Sequence, residues 1–225
     1  MSNHLYKPEK QSDYSIPDYL IEVLQQKEVR QHLADNSLSS LYSLIKGWSD
    51  NSLCSDMTNF FTAGLGIDPL KQVSIIWPGM FMAWVCDFDL TDYTNLHIVD
   101  NNAFLGSECE FIYLPDSIQF INDYAFDGCD CLRQVKITGN GISSLGDGAF
   151  TNCSKLEKVW LPHSLNQHAL GNDWRGPFVE TNIKHWLVLV YDGTKEEFMN
   201  GEPEIGFVHD CKIVVQCNNG VINIT

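Results

Sequence analysis

The dipeptide Ala-Phe occurs at Ala103-Phe104, Ala125-Phe126 and Ala149-Phe150, at spacings of 22 and 24 residues. A period of this size constrains the fold more than any single motif, because a unit so short cannot bury its own apolar face and must stack on its neighbours. A short polar turn follows each dipeptide, and then an apolar triplet at relative positions 0, +3 and +5. The triplets are Cys109/Ile112/Leu114, Leu132/Val135/Ile137 and Leu156/Val159/Leu161. The same spacing is read at Leu70/Val73/Ile75, Val85/Phe88/Leu90 and Ile183/Trp186/Val188, giving six copies. The phrases LKQVSII, LRQVKIT and LEKVWLP repeat almost letter by letter. Seven and four residues before each Ala stand further apolar pairs, Leu96/Val99, Ile118/Ile121 and Ile142/Leu145.

These patterns predict an α+β solenoid of short parallel strands. In each strand the +3 and +5 residues lie on the inner face, and position 0 brings the chain into it. The first 65 or so residues lie outside the repeat and read as helices, over Pro17 to about Gln26, over Lys27 to Ala34, and from Leu38 to an end at Gly47. Tyr19, Leu20, Val23, Leu24, Val29 and Leu33 are their expected core, and Asn36-Ser37 is the expected cap of the third. Residues 1–65 are therefore expected to cover the open end of the solenoid, with a separate docking element as the other reading, and residues 66–225 to form the solenoid. Asn218-Asn219-Gly220 between apolar runs predicts a closing β-hairpin.

The run from Ile121 to Ile137 and that from Leu145 to Pro162 share the form IxxxAFxxCxxLxxVxIP, which resembles the BspA-type leucine-rich repeat. The phrases YDGTKEEF (Tyr191 to Phe198) and VVQCNNGVI (Val214 to Ile222) resemble the closing unit of such arrays. The resemblance spans about Leu70 to Thr225. Two places depart from it: the first unit precedes the second by only 15 residues, and Pro177-Phe178 stands where Ala-Phe is expected. The resemblance implies a protein-binding solenoid, of a kind found in bacterial surface proteins and in bacteriophage-encoded ones.

Composition narrows the partner. With 14 Lys plus Arg against 29 Asp plus Glu, the formal charge is −15. Direct nucleic-acid binding is disfavoured, since phosphate contacts need clustered cations. The longest apolar run, Val73 to Val85, is interrupted by Pro78 and Gly79 and is too short for a bilayer span, so no membrane association is expected. Without an apolar N-terminal stretch to act as a signal peptide, the expected location is the cytoplasm of a bacterial or phage-infected host cell, with reduced thiols.

Few residues fall in patterns that carry chemistry. Cys129 and Cys153 occupy the same repeat position, which stacking can bring within ~5 Å. Cys at this position reads as a small buried residue rather than a metal ligand, since Cys129-x-Cys131 lacks zinc-knuckle spacing. Asp87, Asp89 and Asp92 form D-x-D-x-x-D without the Gly and late Glu of a calcium loop, and read as a solvated acidic patch with Asp87 and Asp89 outward. His163, His168 and His185 fit no metal-binding spacing, and there is no G-x-S-x-G, Walker A or G-x-G-x-x-G motif. No cofactor and no enzymatic activity are expected.

The exposed strand face carries the functional signal. If 0, +3 and +5 point inward, +2 and +4 point outward: Gln72/Ser74, Asp87/Asp89, Phe111/Tyr113, Gln134/Lys136, Lys158/Trp160 and His185/Leu187. Phe111, Tyr113 and Trp160 are large aromatics on a face where polar residues are the norm, and such residues anchor protein interfaces. Lys136 and Lys158 beside them suit an acidic partner, and Asp87 and Asp89 a basic one. The expected function is protein binding through this face. The alternatives are an acidic inhibitor that fills the basic channel of a nucleic-acid-binding bacterial defence enzyme, as anti-CRISPR-type inhibitors do, and a virion or cell-surface adhesion component.

Overall fold

A computed structural model describes residues 5–46, 52–142, 145–165, 176–200 and 212–224. Gly47, His168 and Cys211 lie outside the described residues. Four eight-residue helices come first: α1 (Asp18–Gln25), α2 (Lys27–Ala34), α3 (Leu38–Ile45) and α4 (Ser52–Asn59). The fourth runs on as a π-helical turn, Phe60–Leu65, and stops at Gly66, whose φ of 70° is left-handed. Leu20, Val29, Leu41 and Ile45 are fully buried, whereas Tyr19, expected in the core, is half exposed and donates its hydroxyl to Asp56. Ser37 precedes α3 without capping it, because its hydroxyl donates to the Ser40 side chain instead.

The rest of the chain coils about five times. A three-stranded parallel sheet forms one wall in the order β1 (Ile75–Ile76), β3 (Ile98–Val99), β5 (Phe120–Ile121). The larger wall has seven strands. β2 (Phe88–Asp89), β4 (Phe111–Tyr113), β6 (Gln134–Lys136), β7 (Lys158–Leu161), β8 (Trp186–Tyr191) and β9 (Lys212–Cys217) are parallel in that order. β10 (Gly220–Ile224) turns back antiparallel on β9 through Asn218-Asn219 and closes the array as the predicted hairpin. A one-turn helix, α5 (Lys195–Phe198), follows β8 and carries a full capping box between Thr194 and Glu197.

Between the two walls stands a ladder of five phenylalanines, Phe81, Phe104, Phe126, Phe150 and Phe178. Successive ring centroids are 5.2, 5.3, 5.2 and 5.3 Å apart, with interplanar angles of 22°, 25°, 6° and 13°. The Ala of each Ala-Phe is buried because the next coil passes directly over it: Phe104 N–H donates to the Ala125 carbonyl and Phe126 N–H to that of Ala149, each at 2.9 Å. Left-handed residues on both sides of each ring turn the chain, as at Asn102 and Gly106 around Phe104. At Gly148 a Cβ would lie 2.6 Å from the Tyr124 ring, so the turn there needs glycine for space as well as for its φ of 61°.

Three expectations are corrected by this arrangement. Leu70/Val73/Ile75 is not a copy of the larger-sheet triplet. β1 pairs with β3 in the smaller sheet, Ile76 opposite Val99, so Val73 and Ile76 are the pair seven and four before Met80, and Met80-Phe81 is a concealed Ala-Phe. Val85 is 64% exposed and Cys86 is buried in its stead, because the chain enters β2 from a turn of its own. In the last coil the frame is shifted by one: Leu187, Leu189 and Tyr191 face inward, while Trp186, Val188 and Val190 face out. Short strands reach position 0 through a bend, but β8 is straight over six residues and alternates strictly.

Candidate protein-binding face

Strand register sets the outward side chains of the larger sheet in two rows. Phe111, Gln134, Lys158, Val188 and Val214 lie side by side in one, and Asp89, Tyr113, Lys136, Trp160, Val190 and Gln216 in the other. Phe111 and Tyr113 stack at 4.7 Å, and Tyr113 meets Trp160 edge-on at 6.4 Å. Tyr113 Oη donates to Gln134 Oε1 at 3.2 Å. Lys158 Nζ stands 4.6 Å above the Trp160 ring and Lys212 Nζ 5.5 Å above that of Trp186, which is 46% exposed. The aromatic rings are thus held by one another and by cations, which lowers the entropy lost when a partner docks.

The predicted residues Phe111, Tyr113, Lys136, Lys158 and Trp160 are brought together here, half buried by their row neighbours. Asp89 sits at the β2 end of the second row, exposed, and accepts from Thr91. Asp87 does not join them. It is only 6% exposed, and its Oδ1 accepts the backbone N–H groups of Glu110 at 2.6 Å and Phe111 at 3.2 Å. In the next coil the equivalent donors, Arg133 and Gln134 N–H, find the Glu110 main-chain carbonyl. Asp87 therefore supplies by side chain the acceptor that the irregular entry to β2 withdraws, while its carbonyl accepts Tyr6 N–H at 2.7 Å. A buried carboxylate with this role is not a surface for partners.

Sequence reading missed Trp186, Val188 and Val190, which extend the apolar face across β8. The alternation in WLVLVY was the available signal, hidden by carrying over the bent-strand frame. It also missed a pocket of about 240 Å³ at the carboxyl ends of β7 and β8, with Trp160, Pro162, Val190 and Tyr191 as walls and Asp192 and Asn218 at its rim.

The cysteines are built into the core. Cys129 and Cys153 are fully buried, and their thiols donate to the Phe104 and Phe126 carbonyls of the preceding coil at 3.0 and 3.2 Å. Ser107 makes the same bond to the Phe81 carbonyl. Burial raises the pKa of both thiols, and the Cys129 thiol followed by burial does the same for Cys109. Such thiols stay protonated and are poor nucleophiles or metal ligands. Of the histidines, His185 Nε2 lies 3.1 Å from the Leu156 carbonyl and His163 Nδ1 3.8 Å from Glu197, so the two are held in separate places.

Residues 89–171 match a family model described as the BspA type leucine-rich repeat region, in six copies. No curated protein and no solved structure matches the chain.

Proposed function

Because the chain is a BspA-type leucine-rich repeat protein, and such repeats are interaction modules with no catalytic family indicated, we propose that it binds another protein through the outer face of the larger sheet. The observation that carries this reading is the set of outward aromatic and aliphatic side chains on β4, β7 and β8, from Phe111 and Tyr113 through Trp160 to Val190, joined across Gln134 and Lys136 of β6 by the Tyr113–Trp160 contact. On a solvated sheet face the cross-strand contacts of such residues contribute at most about 1 kcal/mol each, whereas large aromatics centred on an interface contribute most of its binding energy. The setting we propose is the cytoplasm of a bacterial or phage-infected host cell.

Native pull-down from bacterial lysate with wild type and with the Phe111→Ala/Tyr113→Ala/Trp160→Ala variant, both checked by circular dichroism, tests the reading. A partner held by wild type and lost by the folded variant is the expected result. A partner held equally by both removes the face from consideration. The rival, capture of a basic channel by the net charge of −15, predicts a complex that dissociates steeply as salt rises, whereas an interface anchored by aromatic rings loses little.

A further inference from the structure

We infer that the partner presents an acidic segment bearing one bulky apolar side chain. Its carboxylates meet Lys136 and Lys158, and its apolar group enters the pocket beside Trp160. This rests on the sheet face being the docking surface, and names what docks there.

The first argument is charge. The protein carries 29 acidic residues against 14 basic ones, yet Lys136 and Lys158 stand on the centre of the face with no carboxylate at ion-pair distance among the described residues. Trp160 lies opposite Lys136 and Gln134 opposite Lys158 in the register, which makes the two lysines diagonal neighbours on adjacent strands. Like charges so placed repel one another, and a carboxylate set between them relieves this. Acidic side chains frame this centre: Asp89 lies at the β2 end of the row and Asp192 at the pocket rim. A basic segment would meet the lysines wherever it met the rings.

The second argument is shape. The pocket has room for one large side chain and is walled by Trp160, Pro162, Val190 and Tyr191. Trp160 is both a pocket wall and the cross-strand neighbour of Lys136. The apolar and cationic subsites therefore adjoin, within a span of two or three residues of extended chain at about 3.3 Å each. Asp192 and Asn218 at the rim can bond the main chain of that segment.

A displayed library of random dodecapeptides, selected on the full-length protein and depleted on the Trp160→Ala variant, tests this. The expected outcome is enrichment of Asp and Glu around a single Phe, Trp or Leu. One enriched peptide, synthesised and titrated, should bind at least tenfold more weakly to Lys136→Gln/Lys158→Gln, and more weakly still to Lys136→Glu/Lys158→Glu. Replacing its apolar residue by Ser should abolish the difference between wild type and Trp160→Ala. Enrichment of basic or uncharged sequences, no enrichment at all, or equal binding to the lysine variants overturns the inference. If the aromatic triple variant still loses its protein partner in the pull-down while the lysine variants keep theirs, the face binds by another chemistry and the reading it rests on survives. If the triple variant keeps its partner, that reading itself fails.

Discussion

The middle coils and the end coils share one phenylalanine ladder but feed their strands differently. After Phe126 and Phe150, the chain leaves the ring, bends once at position 0 and delivers a short strand whose entering N–H groups find a main-chain carbonyl of the coil before. At Phe81 the strand begins after a different turn, and the Asp87 carboxylate and the Leu5–Tyr6 segment complete the hydrogen bonds. At Phe178 the strand is long and straight, and hands over to a further strand and a hairpin. Stacking alone thus fixes the interior, whereas each end needs its own solution for backbone groups that have a neighbouring coil on one side only.

Truncating the ladder should show this most strongly. Among the described residues, Phe126 is stacked on both faces, by Phe104 and Phe150, and Phe178 on one, by Phe150. Phe126→Ala should cost about 3–5 kcal/mol in chemical denaturation, and Phe178→Ala clearly less. Equal losses would mean that the rings act singly and not as a stack.

The end solution at β2 comes next. Asp87→Ala leaves two part-buried N–H donors without their acceptor and should cost about 1–2 kcal/mol. Asp89→Ala, two residues along but solvated, should change stability by less than about 0.5 kcal/mol. Similar values for the two would show that the Asp87 bonds add nothing to the entry of the sheet.

This contrast also explains what the sequence could reveal. The repeat was legible where equivalent residues fill equivalent sites: the Ala-Phe dipeptides, the inward triplets around Ile112, Val135 and Val159, and the outward position of Phe111, Tyr113, Lys136, Lys158 and Trp160. It failed where a site is defined by neighbours and not by type. Met80 replaces Ala at the first ladder step, 23 residues before the second, so no Ala-Phe dipeptide marks it. Asp87 has the sequence context of an exposed strand residue, and only the loss of a main-chain acceptor beside it turns it inward. The pocket beside Trp160 is formed by four separate strand ends and loops, so no local pattern announces it.

The thiols offer a subtler comparison of interior with end. Burial pushes Cys54, under the helices, and Cys86, at the first strand, up to about 12. Folded pKa values above those of the unfolded chain mean that the stability they confer is complete below an ordinary thiol pKa of ~8.5 and is lost as pH rises towards 12. Across that window each thiol should lower unfolding free energy by up to about 1.4 kcal/mol per pH unit. Cys54→Ala, compared with wild type, should flatten the decline seen in denaturation curves between pH 8.5 and 11. An unchanged slope would show that this thiol reaches water before the fold opens.

Cys129 gives the smallest effect and the sharpest reading of the ladder, because Ser107 already performs its role one coil earlier. Both side chains donate to the phenylalanine carbonyl of the coil before, so Cys129→Ser keeps the bond to Phe104 and exchanges a thiol for a more polar, smaller group. Cys129→Val fills similar space but leaves that carbonyl with the Ser107 N–H alone, which should cost about 0.5–1 kcal/mol more than Cys129→Ser. Stability in the order wild type, Ser, Val would mean that this position is chosen for donation into the neighbouring coil. The order wild type, Val, Ser would mean that it is chosen for apolar volume, and that Ser107 is tolerated only because the first coil packs against the helices.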